Sequence, residues 1–165
     1  MKQEIPKRKN IRLEEYDYSK TGYYFITLCV IDRREILGRV VGDGVHDVPR
    51  CELTDIGRIV ESQISATTDY YKYFRIDKYT IMPNHIHMII TVSNENGSSR
   101  KPNPTNARIP SFVSAFRRFI NKQCGFSIWQ SSYYGRIIRN EEEYGKILQY
   151  IEENAARWTE DEYYQ

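Results

Sequence analysis

Residues 74–92 read Phe-Arg-Ile-Asp-Lys-Tyr-Thr-Ile-Met-Pro-Asn-His-Ile-His-Met-Ile-Ile-Thr-Val. From Phe74 to Ile81 apolar and polar side chains alternate, the period of a half-buried strand. Met82-Pro83-Asn84 interrupts the pattern, and His85–Val92 resumes it. Two strands joined so tightly should be antiparallel neighbours. On the second, Ile86, Met88, Ile90 and Val92 share one face and suit a core, which sends His85 and His87 to the other face.

Working outward, the β-branched, alternating run Tyr23–Ile31 predicts another strand, Ile36–Val41 a short one, and Gly42–Arg50 a loop. Leu53, Ile56, Ile59, Val60 and Ile64 recur at helical spacing behind a capping Thr54, giving a helix over about 54–67. The Gly-, Ser-, Asn- and Pro-rich stretch 94–110 reads as a mobile surface loop. Ser111 then caps a helix with Phe112, Val113, Phe116, Phe119 and Ile120 on its apolar face, ended by Gly125. Ile128–Ile138 reads as a strand, interrupted at Gly135. A last helix over about 140–156 places Tyr144, Ile147, Leu148 and Ile151 on one stripe. The order β-α-β-β-α-β plus a final helix is the split-βαβ, ferredoxin-like pattern of the α+β class. Such a sheet is antiparallel, with helices on one face and the other face free to bind.

The whole chain is 165 residues with 40% hydrophobic and 28% charged residues, enough for one domain with a real core. Within it we expect a basic N-terminal arm (1–15), the loop 94–110 and an acidic tail (159–165). No stretch is apolar enough to span a bilayer, the polar start is no signal peptide, and three cysteines without Cys-x-x-Cys spacing argue against a disulfide framework or a zinc-thiolate site. A cytoplasmic protein is expected. The net charge of +2 hides an asymmetry: residues 1–13 carry a local +4, residues 100–139 hold eight basic residues and no acidic one, and residues 140–165 swing to −6. The basic segment is a footprint for a polyanion, or else a solvated face balanced by the tail.

Two constellations carry chemistry. His85 and His87, at i and i+2 of a strand, aim two imidazoles at one spot: half of a metal site, a pair of proton-transfer groups, or two ordinary strand histidines. On the last helix Tyr150 and Asn154, at i and i+4, share a flank beside the apolar stripe, though Tyr150 could equally extend the stripe. His46, in a Gly/Asp/Pro loop, reads as exposed.

Here the residues carry a resemblance. Met82-Pro83-Asn84-His85-Ile86-His87-Met88-Ile89-Ile90 resembles the His-hydrophobic-His strand of the single-tyrosine transposases, the insertion-sequence-200-type enzymes and their REP-associated relatives. Ile128-Trp129-Gln130, Tyr133-Tyr134 and Ile138-Arg139 resemble the strand before their catalytic helix, and Tyr150-Ile151-Glu152-Glu153-Asn154 with Trp158 the helix itself. The similarity spans roughly residues 10–158, with the motifs in order. It implies a ferredoxin-like catalytic domain that cleaves and rejoins single-stranded DNA, often near a hairpin. Position by position it implies Tyr150 as nucleophile and His85, His87 and Asn154 as ligands of a divalent ion, Mg²⁺ or Mn²⁺. One departure is visible: relatives often have Asn-Pro where this chain has Asn154-Ala155.

A divalent ion can polarise a phosphate and so help a phenol of pKa ~10 act as nucleophile. DNA is expected to be guided by Arg117, Arg118, Lys122, Arg136 and Arg139, with Lys7, Arg8 and Lys9 of the arm as a further backbone contact. Whether Tyr150 works with the histidines of its own chain or of a partner in a homodimer stays open, as does the DNA sequence. Two rival readings are a non-catalytic single-strand-binding module, with Tyr23, Phe25, Tyr79, Tyr133 and Tyr134 as stacking platforms, and a metal phosphodiesterase that uses water. A replication initiator or relaxase needs accessory domains that 165 residues do not accommodate.

Overall fold

The computed structural model describes residues 22–70, 74–93 and 108–164. β1 (Gly22–Cys29), β4 (Phe74–Met82), β5 (His85–Val92) and β6 (Tyr134–Ile138) form one antiparallel sheet in the order β4-β5-β1-β6. α1 (Asp55–Tyr70) joins β1 to β4, and α2 (Arg108–Cys124) joins β5 to β6. This is the ferredoxin-like arrangement, with α3 (Glu141–Glu153) appended.

The pleat sorts the side chains into two cores. Tyr24, Ile26 and Leu28 of β1 and Ile86, Met88 and Ile90 of β5 are buried beneath Val60 and Ile64 of α1 and Phe112, Phe116 and Ile120 of α2. Their neighbours Phe25 and Ile89 face the opposite way and pack with Ile138, Ile147 and Ile151 in a smaller core under α3. The second face is therefore not free, as the sequence suggested: α3 and the C-terminal segment lie across it. The register places the histidines along that face. Phe25 pairs with Ile89, Thr27 with His87 and Cys29 with His85, so the strand positions beyond the small core carry both imidazoles.

Three local readings change. β2 (Gly38–Val41) pairs with β3 (Arg50–Leu53) in a separate hairpin, where the sequence suggested only one short strand and a loop. Four-residue strands are too short to display a period. Thr54 does cap α1, its hydroxyl oxygen accepting from the Gly57 amide at 3.1 Å. α2 starts at Arg108 rather than after Ser111, so the last three residues of the expected 94–110 loop are helical; Pro110 is tolerated there because first-turn amides have no intrahelical acceptor. Gly125, at φ +79°, ends α2 as expected. The run 128–138 is a strand only from Tyr134; before it, Trp129 makes a single bridge to Val30. The arm 1–15 lies outside the described residues, as does 94–107. Among the described residues no helix is long and apolar enough to cross a membrane.

Candidate active site

α3 is built to start sharply. Asn140 accepts from the Glu143 amide at 2.8 Å, Glu143 in turn accepts from the Arg139 amide at 2.8 Å, and Glu141, Glu142 and Glu143 fill the first turn, where the helix dipole favours anions. Ile147 and Ile151 set its rotation by entering the small core. With that stripe fixed, Tyr150 points along the sheet toward β5 and Asn154 stands one turn on, at the helix end. The chain then folds back through a 3-10 turn at Trp158–Glu160, and Trp158 is buried.

The structure brings the expected residues together within one chain. The Tyr150 hydroxyl lies 3.2 Å from His87 Nε2. His87 Nδ1 is 2.7 Å from the Thr27 hydroxyl, and His85 Nδ1 is 2.9 Å from Asn84 Oδ1. Both histidines thus turn Nδ1 to a protein partner and Nε2 into the site. A residue that was not anticipated completes the group. Asp161 Oδ2 accepts from Asn154 Nδ2 at 2.8 Å and lies 3.5 Å from the Tyr150 hydroxyl. It sits in the segment read from the sequence only as an acidic tail. Trp158, Tyr163 and Tyr164 were the available signal: three aromatics in eight residues are too apolar for such a tail. Tyr163 packs against His85, with ring centroids 4.5 Å apart and the planes tilted by 36°.

The site also departs from the expectation that the second face of the sheet is free. His85 and His87 are 0% and 1% exposed, whereas Tyr150 is 39% exposed, at the mouth of a cleft of about 470 Å³ lined by Lys146, Asn154, Arg157 and Asp161. Burial disfavours the imidazolium, so His85 is lowered to about 4 despite the opposing pull of Asp161, and His87 is lowered well below its ordinary value. Burial, aided by the Asp161 charge, pushes the Tyr150 phenol well above its ordinary 10.

These directions predict a pH response. The unfolded imidazoles bind protons near pH 6.5, whereas folded His85 waits until about pH 4. The unfolded state therefore holds more protons in this window, and stability falls as pH drops from about 7 to 4. Thermal melts of the metal-free protein should show the melting temperature falling over that range, and the fall should be shallower in a His85→Gln/His87→Gln variant. Equal slopes would refute the assignment.

The residues fit a divalent cation. Among the described residues His85, His87 and Asp161 can present ligand atoms within 4.8 Å of one another. Two further observations point the same way: His85 Nε2 and Asn154 Oδ1 are buried without a hydrogen-bond partner. Orphaned polar atoms are costly in an interior, and both of these offer lone pairs into the same space. A donor set of two imidazole nitrogens, a carboxylate and an amide oxygen suits Mn²⁺, and Mg²⁺ less well.

The basic residues divide. Arg136 lies on the α3 face of β6, paired with Glu143 at 3.0 Å, and Arg139 is exposed at the strand's end. Arg118 and Lys122 are exposed on α2, the helix packed against the opposite face of the sheet from Tyr150. The structure does not bring them to the site. Arg117 is engaged otherwise, donating to the carbonyl oxygens of Ser131 (3.0 Å) and Ser132 (2.6 Å), with its guanidinium 5.7 Å from the Tyr133 ring centre. It braces the segment leading into β6. Lys7, Arg8 and Lys9 lie outside the described residues, and His46 is exposed, bound to Asp43 at 2.8 Å. Arg117→Gln should therefore lower the melting temperature and leave the salt dependence of DNA binding unchanged. Each lost phosphate contact on a single strand flattens log K against log salt by ~0.7; a flattening of that size for Arg117→Gln would show that it contacts DNA after all.

The chain is similar to known proteins in sequence and in fold. The profile of the family described as "Transposase IS200 like" matches residues 18–154. An uncharacterized protein of Haemophilus influenzae is 30% identical over 176 residues, spanning 97% of this chain and 94% of its own. Among solved structures, a REP-associated tyrosine transposase bound to a REP hairpin superposes with a TM-score of 0.62 at 20% identity, covering 89% of this chain and 73% of that one. A putative transposase from Deinococcus radiodurans gives a TM-score of 0.44 at 17% identity, over 86% and 95% of the two chains. With the profile spanning the sheet, both histidines, Tyr150 and Asn154, the chain belongs to the IS200-like transposase family.

Proposed function

We propose that the protein is a metal-dependent single-stranded DNA nuclease and strand transferase, acting in the cytoplasm at hairpin-forming repeats through a covalent phosphotyrosine. The observation that carries this reading is the Tyr150 hydroxyl at 3.2 Å from His87 Nε2, beside the orphaned lone pairs of His85 and Asn154. That juxtaposition speaks against a mere binding module, which needs neither imidazole. His85, His87, Asn154 and Asp161 would hold the ion, with Asp161 added to the three ligands that the family resemblance implied. When bound, Mg²⁺ or Mn²⁺ supplies positive charge that polarises the scissile phosphate and stabilises charge in the transition state.

The chain's own groups do the rest. Tyr150 attacks phosphorus: its Oη–P bond forms as one P–O bond of the DNA backbone breaks, and the departing oxygen takes a proton from water to leave a free hydroxyl end. The phenol is a poor nucleophile here, because burial and the Asp161 carboxylate raise its pKa. Asp161 Oδ2, 3.5 Å away, is placed to accept the proton as the bond forms. The reverse attack by a DNA hydroxyl restores the phenol and rejoins the strand, so no ATP is consumed. Thr27 keeps the His87 ring in place. The half-exposed position of Tyr150 lets a strand reach it while the histidines stay dry.

The test is a covalent-adduct assay with labelled single-stranded hairpin DNA. Adduct should form with Mn²⁺ and disappear in excess EDTA; release of both DNA ends without adduct would favour water over tyrosine. Asp161→Asn should weaken Mn²⁺ binding ~10–100-fold and Asn154→Ala less, since water replaces a neutral oxygen ligand more readily than a carboxylate. Calorimetry with the metal alone reads this directly, and an Asp161→Asn protein that binds Mn²⁺ normally excludes Asp161 from the ligand set.

A further inference from the structure

Asn84 lies in the turn between β4 and β5, is fully buried, and has both ends of its carboxamide engaged. Its amide nitrogen donates to the carbonyl oxygens of Arg33 at 3.2 Å and Tyr163 at 2.8 Å, and Oδ1 meets His85 Nδ1 at 2.9 Å. Chemistry fixes this orientation. Backbone carbonyls only accept, so the NH₂ must face them and Oδ1 must face the imidazole. Oδ1 is also only an acceptor, so neutral His85 must carry its proton on Nδ1. Nε2 is then the lone pair, and Nε2 is the buried atom without a partner, turned into the site.

The two carbonyls belong to distant parts of the chain. Arg33 follows Asp32 in a turn where both residues hold left-handed φ angles of 51° and 55°, a strained arrangement for non-glycine residues. Tyr163 belongs to the C-terminal segment, and its amide donates to Asp161 Oδ1 at 2.8 Å. Arg33 adds a second tie, donating to the Glu162 carbonyl at 2.9 Å with its guanidinium 5.3 Å from the Tyr163 ring centre. One carboxamide thus touches a histidine of the site and the segment that carries the site's carboxylate.

We infer that Asn84 is a positioning residue with two duties: it fixes the tautomer that turns His85 Nε2 inward, and it fastens the segment that presents Asp161 beside that nitrogen. The second half of each duty, delivery of ligands to an ion, rests on the proposed function. The tautomer and the fastening do not, and both are readable in the metal-free protein.

Two substitutions separate the duties. Asn84→Asp keeps an acceptor for His85 but offers no donor to the two carbonyls. Asn84→Ala removes both. In the full chain, stripped of metal with EDTA at pH 8, imidazole ¹⁵N shifts report the tautomer and amide hydrogen exchange reports the order of residues 161–164; after the EDTA is removed by dialysis, calorimetry with MnCl₂ alone reports metal affinity. The wild type should show His85 protonated on Nδ1 and protected amides at 161–164. Asn84→Asp should keep the tautomer and lose that protection at least tenfold; Asn84→Ala should lose both and bind Mn²⁺ ~10–100-fold more weakly. A wild-type His85 protonated on Nε2, or Asn84→Asp with undiminished protection, would overturn the inference. Should Asn84→Ala fail to fold, the wild-type tautomer and Asn84→Asp decide it alone. Failure of the wild type to bind Mn²⁺, with tautomer and protection as stated, would count against the metal chemistry and leave the fastening intact.

Discussion

Tyr150→Phe is expected to reduce formation of the covalent DNA adduct on the order of 10⁴-fold or more, as loss of a nucleophile does elsewhere. The substitution deletes one oxygen. Its two contacts are a 3.2 Å approach to His87 and a 3.5 Å approach to Asp161, and the rest of the ring keeps its edge contact with Phe25. Stability should therefore change by no more than about 1 kcal/mol, and binding of uncleaved hairpin DNA should persist. Peptide mapping of the wild-type adduct provides the independent check. Four other tyrosines compete for the assignment: Tyr133, Tyr134 and Tyr144 near the site in sequence, and Tyr163, which packs against His85. An adduct that survives in Tyr150→Phe and maps to one of them refutes the proposed chemistry at its centre.

Alanine at His85 or His87 should abolish cleavage and Mn²⁺ binding together, and here burial makes the outcome more severe than loss of a ligand. His87 fills space between Phe25 and Tyr150 and satisfies Thr27. Removing it leaves a cavity and a buried hydroxyl without its partner, about 2–4 kcal/mol of stability by analogy with other large-to-small core changes. That is a large fraction of the 5–15 kcal/mol typical of a domain. His87→Gln retains most of the volume and a polar end, so it should recover much of the stability while remaining unable to cleave. Cleavage by His87→Gln at the wild-type rate would show that the imidazole is packing and not a participant.

The contrast between strand and tail explains how much of this was legible. His85 and His87 could be assigned to the correct face because a strand has a period of two and Ile86, Met88 and Ile90 declare which side is core. Tyr150 and Asn154 could be paired because helix geometry puts i and i+4 together, and Ile147 and Ile151 fix the rotation. No such period governs residues 158–164. Asp161 reaches the site by a 3-10 turn and a reversal, and its position depends on Asn84 and Arg33, far away in sequence. The burial of the histidines was hidden for the same reason, since it is the tail that covers them. Arg117 is a different case: its charge suggested phosphate, and only the fold shows the carbonyls of Ser131 and Ser132 within its reach.

The strand order β4-β5-β1-β6 also sets a schedule for synthesis. β4 and β5 are joined by a short turn, whereas the Thr27–His87 contact spans 60 residues and Tyr23 of β1 waits for Ile138 of β6. On a ribosome, which releases the chain from its N-terminus, β1, α1, β4 and β5 can assemble around both imidazoles while α3 is still untranslated. Tyr150, Asn154 and Asp161 emerge last, within a dozen residues of one another. A nascent chain thus has its histidines in register well before it has the tyrosine proposed as nucleophile, and on that proposal any fragment terminated before residue 150 forms no adduct with DNA however well its sheet has formed.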